Sequence, residues 1–288
     1  MYRGLLTSRQ ASRLVAAAVA ATLLSASALA EQTPSTQTLL TLATGYVRTF
    51  VDKFSNMRAE EHYVQDWKTQ AGIPLMRREW MAEFLLTQIG DSSNWQVYRD
   101  VFEVNGVPVR DRQDRLEKLL FQPMAEVADQ AAAISAESAR YNIGNLQRTV
   151  NQPLFVLIFL QPDQQRRFSY SIDRADRSAG ENVWILGYKE TARPTLIRGT
   201  SNKDLPAQGR IWIDSSNGRI VRTELRLEDK NQSAQITTSF RNEERFGIDV
   251  PFQMDEQYSV KGNGGKISAK ASYGQFRQFE VATTLRVK

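Results

Sequence analysis

Apolar and polar residues follow a helical period in parts of the N-terminal half of the chain and a strand period in most of the remainder. Between Leu39 and Phe54 the apolar residues recur every three or four positions, which predicts an amphipathic helix over 38–55. The alanine-rich stretch 124–144 predicts a second helix that stops at Gly144. The N-terminal half therefore supplies the predicted helices.

The same half also contains stretches in which apolar and polar residues alternate, as they do in half-buried strands. These stretches are 59–67, 80–89 and 95–111. The last of them contains Asn105-Gly106 between two apolar runs, and Asn-Gly supplies the two positive φ angles of a type I′ turn. The sequence therefore predicts a hairpin at this point.

The apolar run 154–160 suits either a short helix or a buried strand. Asn151 as a cap and Pro153 in the first turn favour the helix, because proline would remove a hydrogen bond from a central strand. Asp111 is a predicted N-cap further upstream. Together these segments predict a helical insertion at about 111–160.

From Arg167 to the C-terminus the pattern predicts strands only. Several alternating stretches follow one another with turn residues but no helix between them, which indicates an antiparallel meander with a hairpin turn at Asn217-Gly218. Ile211 and Ile213 share one face of that hairpin, and charged residues occupy the other. We therefore predict an α+β fold in which helices cover the dry face of an antiparallel sheet.

The beginning of the chain has the pattern of a secretory signal peptide. Three arginines and no acidic residue precede an apolar run over 14–24, and small residues follow up to Ala30. We predict a signal peptide over 1–30, a flexible lead-in over 31–37 and one α+β domain over 38–288. Cleavage near Ala30 would place the protein in the periplasm or outside the cell; an uncleaved N-terminal anchor is the alternative.

Composition excludes several classes of function. Export would remove three arginines from a chain with 37 Lys+Arg and 32 Asp+Glu, so the exported part is nearly balanced in charge and gives no basis for nucleic-acid binding. The chain has no cysteine, which excludes thiolate chemistry and a lipid-modified N-terminal cysteine. His62 is the only histidine, which excludes a metal site built from several histidines. We expect neither an enzyme nor a cofactor or a metal.

One stretch of sequence resembles a known group of proteins. In "GRIWIDSSNGRIVRTELRLEDKNQSAQITTSF" a glycine-led strand, an Asp-x-x-x-Gly turn, a charged strand and a threonine-rich strand follow one another. This order is similar to that of the LolA/LolB/RseB group of periplasmic proteins, which includes lipoprotein carriers. The resemblance implies a curved, half-open antiparallel sheet over helices, with an apolar cavity between them. Other blocks, such as "ETARPTLIRG", resemble uncharacterised exported bacterial proteins.

Two functional hypotheses follow from this resemblance. The first is a non-enzymatic protein that binds an apolar or lipid-linked ligand, such as a lipid or a lipoprotein acyl chain, in a cavity between sheet and helices. The predicted lining residues are Phe155, Ile158, Trp184, Ile236, Thr238 and Phe240. The same residues would equally suit a filled core. The second hypothesis is therefore an envelope protein-interaction module, a sensor or a scaffold, without a cavity.

Four further residues are candidates for contact with an anionic group or a partner. Arg99, Arg110 and Arg112 flank the Asn105-Gly106 hairpin, where they would suit either an anionic head group or cross-strand ion pairs. Trp212 lies on the charged side of its strand, which predicts an exposed aromatic contact.

The tripeptide Glu60-Glu61-His62 is where carboxylates adjoin an imidazole. Strand alternation puts Glu61 on the face opposite to Glu60 and His62, and two ligands alone do not form a zinc site. We predict surface or hydrogen-bonded polar residues here.

Overall fold

The computed structural model describes residues 33–55, 57–88, 95–109, 115–116, 124–144, 148, 150–199 and 202–278. The predicted signal peptide over 1–30, the predicted N-cap Asp111, and Arg110 and Arg112 lie outside the described residues. The division into a lead-in and one domain stays a prediction.

Besides two helical residues at 115–116, the described part of the chain contains three α-helices and eleven strands. The helices are α1 (Thr36–Phe54), α2 (Met124–Ser138) and α3 (Pro162–Gln165), with 3₁₀ turns at Ala139–Tyr141, Phe155–Leu160 and Gly262–Gly264. The strands are β1 (Met57–Lys68), β2 (Pro74–Gln88), β3 (Trp95–Val104), β4 (Val107–Pro108), β5 (Phe168–Ala175), β6 (Val183–Glu190), β7 (Gln208–Asp214), β8 (Ile220–Glu228), β9 (Gln232–Glu243), β10 (Ile248–Val260) and β11 (Gly265–Gln278). The apolar run 154–160 is thus helical, as Pro153 indicated.

All these strands belong to one antiparallel sheet. Their order is β4-β3-β2-β1-β11-β10-β9-β8-β7-β6-β5, so β4 and β5 form two free edges and the sheet is open. The last strand, β11, returns to pair with the first, β1. From β5 onward each strand pairs with the next one along the chain, which confirms the predicted meander and the α+β class.

Helix α1 covers part of one face of the sheet, which we call the inner face. The helix begins after Ser35, whose side-chain oxygen accepts a hydrogen bond from the Thr38 amide at 3.0 Å. Its apolar stripe is buried, and the ring of Phe54 packs against that of Phe276 on β11, 6.0 Å between centroids. The spacing that predicted the helix is therefore also what attaches it to the sheet.

A β-bulge changes which residues of the 209–228 hairpin face inward. The pairing shifts between Trp212 and Ile213, so that Ile213 lies opposite Ile220. As a result Ile220 joins the main apolar core, and Val221 packs with Trp212 on the other, outer face. Strict alternation from Thr223 would place Val221 inside as well, but the bulge reverses the parity of the strand at this point.

The helix predicted over 124–144 ends before Gly144. The 3₁₀ turn that follows α2 stops at Tyr141, three residues before Gly144, which has a positive φ of 83°. Gly144 therefore provides a positive φ angle in the connection that follows the 3₁₀ turn, and it does not terminate α2. Among the described residues, no helix is both long enough and apolar enough to cross a membrane.

Both predicted hairpin turns are confirmed, and one of them is packed against α1. Asn105 and Gly106 have φ angles of 50° and 77°, as a type I′ turn requires. Gly218 has a φ of 79°, and a Cβ added there would meet the carbonyl oxygen of Leu42 at 2.3 Å. The Gly218 turn thus needs glycine for two reasons, its backbone angle and the close approach of α1.

We expect Gly218→Ala to lower the free energy of unfolding by about 2 kcal/mol or more, because backbone strain and a clash with Leu42 add up. Gly106→Ala is the matched control, since its φ is similar but no described atom lies within 4 Å of the added Cβ. It should cost about 1 kcal/mol. Urea unfolding of both variants checks the difference, and equal losses would contradict the packing of this turn on α1.

Candidate functional site

A network of buried polar side chains lies in the middle of the otherwise apolar inner face. We call it the arginine network; its members are Glu61, Tyr63, Gln65, Arg99, Arg148, Glu256, Tyr258 and Tyr273. Strands β1, β3, β10 and β11 supply all of them except Arg148, which lies in the connection between the Ala139–Tyr141 turn and the Phe155–Leu160 turn. Buried charges persist only when they are paired and hydrogen-bonded.

The first half of the network is an ion pair between Arg99 and Glu61. Arg99 Nη2 donates to Glu61 Oε1 at 2.8 Å, and its Nε donates to the other carboxylate oxygen. Tyr273 donates its hydroxyl proton to Glu61 Oε1 at 2.7 Å. The guanidinium also lies 5.2 Å from the centroid of the Trp80 ring. Burial lowers the pKa of Arg99, but the facing Glu61 carboxylate outweighs it, so that the pKa is raised and the cation is permanent.

The second half joins Arg148 to Glu256 through tyrosines. Tyr63 donates to Glu256 Oε1 at 2.9 Å, and Tyr258 donates to Oε2. Arg148 Nη1 donates to the Tyr63 hydroxyl at 3.0 Å and lies 3.8 Å from Glu256 Oε2. Burial raises the pKa of Glu256, although Arg148 and the two hydroxyls act against it.

The network attaches a segment of the insertion to the sheet. We call this the cover segment; it comprises the described residues 139–144, 148 and 150–152. Gln65 donates to the carbonyl oxygen of Tyr141 at 3.1 Å and accepts from the Ile143 amide at 3.1 Å. Arg99 donates to the carbonyl oxygen of Asn151 at 2.8 Å. Sheet side chains thus hold the backbone of the cover segment, in addition to its own buried apolar residues.

Three buried donors in this region have no acceptor among the described residues. Two of them, the indole Nε1 of Trp80 and the Nε of Arg148, border Tyr63, since the Trp80 ring stacks on the Tyr63 ring at 4.3 Å and Arg148 donates to the Tyr63 hydroxyl. The third is the Nδ2 of Asn151 in the cover segment. An unpaired buried donor costs about 1–3 kcal/mol, and folded proteins keep few of them. The region is therefore able to donate hydrogen bonds to an added group.

The raised pKa of Glu256 makes part of the stability dependent on pH. A carboxyl with a higher pKa in the folded state stabilises fully below its unfolded pKa, near 4.5, and this contribution is lost as the pH rises through the folded value. We expect the stability of the wild type relative to Glu256→Gln to decrease over the pH range above about 4.5. Denaturant unfolding across this range measures it, and a constant difference would contradict a raised pKa.

The predicted ligand-lining residues come together on the inner face. Phe155, Ile158, Trp184, Ile236 and Phe240 belong to or pack against one apolar cluster, and Thr238 is buried beside Met254 on the neighbouring strand. The cluster is continuous with the arginine network, since Ile236 lies directly opposite Glu256. The described side chains pack as a core, and a cavity among them stays a prediction.

Of the predicted contact residues the structure describes Arg99 and Trp212, and both are largely buried. Arg99 is buried and paired with Glu61, which lies two strands away rather than across the hairpin. Arg99 is therefore part of an ion pair, as one of the two interpretations predicted, but its partner is Glu61. The prediction that Arg99 is an accessible contact for an anion is wrong, because its side chain is largely buried and donates to Glu61 and to the carbonyl oxygen of Asn151. Arg110 and Arg112 lie outside the described residues.

Trp212 is buried on the outer face, with 6% of its surface exposed. Its indole Nε1 donates to Asp176 Oδ2 at 2.8 Å, and the Arg222 guanidinium lies 5.4 Å from its ring centroid. Val183 and Ile185 pack beside it. The predicted exposure is wrong because alternation gives the face of a residue and not what covers that face.

Strand alternation does explain Glu60-Glu61-His62. His62 lies on the outer face, where its Nε2 is 2.7 Å from Glu79 Oε1, and Glu61 is buried on the inner face. The opposite placement of Glu61 and His62 is therefore confirmed. The arginine network as a whole was not predicted from the sequence. Its signal is a polar residue at alternate, inward positions next to tyrosine, as in Glu61, Tyr63 and Gln65 and again in Glu256 and Tyr258.

Comparison with known proteins gives similar structures only. No family model matches the chain, and no curated protein matches it. A LolA superfamily protein from Nitrosomonas europaea is similar at a TM-score of 0.42 and 10% identity, covering 89% of this chain and 99% of that one. A domain named for outer membrane lipoprotein sorting, from Vibrio parahaemolyticus, is similar at 0.39 and 9%, covering 86% and 93%. A DUF1329 family protein from Desulfovibrio piger is similar at 0.40 and 10%, covering 89% and 96%.

Proposed function

We propose that the chain is an exported, non-enzymatic protein that binds an apolar or lipid-linked molecule between the inner face of the sheet and its helical cover. The observation that carries this proposal is the pair of unpaired buried donors, Trp80 Nε1 and Arg148 Nε, beside a continuous apolar surface. A molecule with an apolar chain and a hydrogen-bond-accepting head group would satisfy both features at once.

The head group would lie at the Tyr63–Trp80 ring pair. A carboxylate or an ester oxygen accepts hydrogen bonds from N–H groups, whereas an alkylammonium group only donates. The charges of Glu61 and Glu256 are compensated by Arg99 and Arg148, so that a single negative head group does not face a net negative site. The site therefore favours an acyl compound over a cationic amphiphile.

The apolar chain would extend along the inner face away from the head group. Ile236 on β9 is next to Glu256, and Leu225 on β8 is opposite Ile236. Trp184 and Phe240 belong to the same cluster. These residues include the predicted lining positions, and burial of each CH₂ of an acyl chain against them contributes about 0.8 kcal/mol.

Entry requires the cover segment to move aside. Its backbone is held by Gln65, Arg99 and Arg148, and hydrogen bonds of this kind are exchangeable for water when the segment opens. The 3₁₀ turn Phe155–Leu160 is attached differently, since Phe159 packs its ring against Phe168 and Tyr188 at 4.6 and 5.4 Å. We therefore assign the opening to the cover segment and treat Phe155–Leu160 as a fixed wall.

The interaction-module hypothesis has lost the residue on which it rested, because Trp212 is buried. A lipid or a lipoprotein acyl chain, met in the periplasm or outside the cell, is accordingly the partner that we propose.

The test compares a long-chain fluorescent fatty acid with the alkylammonium compound of the same chain length. We expect the wild type to bind the fatty acid saturably and the amine at least tenfold more weakly. Trp80→Phe keeps an aromatic ring at this position but removes the donor, so it should lower fatty-acid affinity about tenfold, and thermal unfolding should show the variant folded.

Trp95→Phe is the matched control. The Nε1 of Trp95 is also a buried donor without an acceptor in the described part of the chain, but Trp95 lies at the far end of β3 from the Trp80 pairing. Its replacement should leave fatty-acid affinity unchanged. Absence of saturable binding to the wild type, or equal affinities of the two variants, would overturn the proposal.

A further inference from the structure

The turn between β1 and β2 carries large apolar side chains that face solvent. Ile73, Leu75 and Met76 are 62%, 49% and 44% exposed, and we call these three residues the apolar tip. They are consecutive except for Pro74, so they lie together at one end of the sheet. An exposed apolar patch marks a contact with a partner or a membrane.

The apolar tip stands on an ordered base. Within the turn, the Thr69 amide donates to the Ile73 carbonyl oxygen at 2.8 Å. Trp67 Nε1 donates to the carbonyl oxygen of Gly264 at 2.9 Å, and Gln70 Nε2 donates to that of Val260 at 2.7 Å. The β1–β2 turn and the β10–β11 turn are therefore joined side by side, and the tip is held in place before it meets a partner.

Lysines surround this base. Lys68 on β1 lies directly opposite Lys266 on β11, and Lys261 lies in the adjoining turn. All three are exposed, and none forms an ion pair with any residue that the structure describes. Like charges directly opposite each other on two strands destabilise a sheet. Folding alone does not account for this arrangement, whereas an anionic partner would.

We propose that this end of the sheet docks onto the surface of an anionic phospholipid bilayer. The apolar tip enters the head-group region, and Lys68, Lys261 and Lys266 face the lipid phosphates. Interfacial binding of this kind depends on buried apolar area together with attraction between basic residues and anionic lipids. The docking end is separate from the proposed ligand site and does not depend on it.

The size of the patch favours a bilayer over a protein partner. A stable protein interface buries about 800 Å² on each side and involves about 20 residues or more. Three apolar side chains on one turn cannot supply such an area, but a bilayer surface needs only a few inserted side chains and a second, electrostatic signal. Both signals are present at this end of the sheet.

The test is cosedimentation of the exported chain with vesicles of phosphatidylglycerol and phosphatidylethanolamine, and with vesicles of phosphatidylcholine alone. We expect binding to the anionic vesicles that weakens with added salt. The double variant Leu75→Ser/Met76→Ser should bind at least tenfold more weakly. Lys68→Gln/Lys266→Gln should also lose about tenfold or more, since each lysine contributes about fivefold.

Leu196→Ser is the control, because Leu196 is also a partly exposed large apolar residue but lies in the connection between β6 and β7. It should bind as the wild type does, and thermal unfolding should show all variants folded. Trp80→Phe should also keep its vesicle binding, which separates this proposal from the ligand proposal. Failure of the wild type to sediment with anionic vesicles, equal binding to phosphatidylcholine, or an unaffected Leu75→Ser/Met76→Ser would overturn membrane docking.

Discussion

Replacing Arg99 with methionine is expected to lower the free energy of unfolding by about 3–5 kcal/mol, because the substitution leaves the Glu61 carboxylate buried without its cation. The carbonyl oxygen of Asn151 would also lose its donor. Thermal or urea unfolding measures the loss. Most of this loss in the free energy of unfolding arises from the unpaired Glu61 carboxylate. The double variant Arg99→Met/Glu61→Leu should therefore recover a large part of the lost stability.

The exposed pair of Arg77 and Asp66 is the control for Arg99. Arg77 Nη1 donates to both carboxylate oxygens of Asp66, at 3.0 and 2.9 Å, but the Arg77 side chain is largely exposed. Arg77→Met should cost less than about 1 kcal/mol, since water and salt screen a surface pair. A loss of the same small size for Arg99→Met would show that the arginine network does not hold the inner face together.

Replacing Arg148 with methionine should release the cover segment and leave most of the sheet intact. Arg148 links the carbonyl oxygen of Ile143 to Gln65 and Tyr63. Burial already raises the pKa of Glu256, so this carboxyl can take up a proton when its cation is removed, which confines the damage to the cover. We expect hydrogen exchange at the Ile143 amide to accelerate about 100-fold, which corresponds to a decrease of about 3 kcal/mol in the free energy of local opening.

Arg167→Met provides the matched comparison for Arg148→Met. Arg167 also reaches a buried glutamate, Glu190, and a backbone carbonyl, that of Pro194, but at the β5–β6 side of the sheet. Exchange at Ile143 should stay at its wild-type rate in this variant. Acceleration of the same size in both variants would mean general loosening rather than opening of the cover segment.

The elements that sequence reasoning placed correctly are those whose information is local. The three- and four-residue spacing from Leu39 to Phe54 defines α1, and the Asn105-Gly106 pair defines a hairpin through its backbone angles. Neither feature depends on a distant part of the chain. The open antiparallel order of β5 to β11 follows in the same way, because neighbouring strands in the sequence are neighbours in the sheet.

The features that sequence reasoning missed depend on contacts between distant segments. Trp212 is on the predicted face, but the Asp176 side chain reaches its indole nitrogen from the β5–β6 connection, and no pattern within β7 indicates this. Glu61 and Arg99 meet because only one strand, β2, separates β1 from β3 and because both side chains point inward. The inward polar residues on β1 and β10 indicate a buried polar network, but the spacing of residues along the sequence does not predict which partners they bind.

The predicted lining residues illustrate the limit of periodicity. Ile236 and Phe240 were expected to line one cavity together with Phe155 and Ile158, and the four residues lie in one apolar cluster. The pattern that brings them together is the same for a filled core and for a ligand site. Unpaired donors such as Trp80 Nε1 distinguish the two only after the fold is known, because an acceptor from any segment would satisfy them.

Native mass spectrometry of the exported protein, isolated from the cells that make it, tests the ligand proposal most directly. It measures whether a small molecule stays with the folded chain. We predict one acyl-containing molecule per chain, retained by the wild type and by Trp95→Phe and reduced in Trp80→Phe. A wild-type protein that shows only its own mass, both as isolated and after incubation with excess fatty acid, would contradict the account.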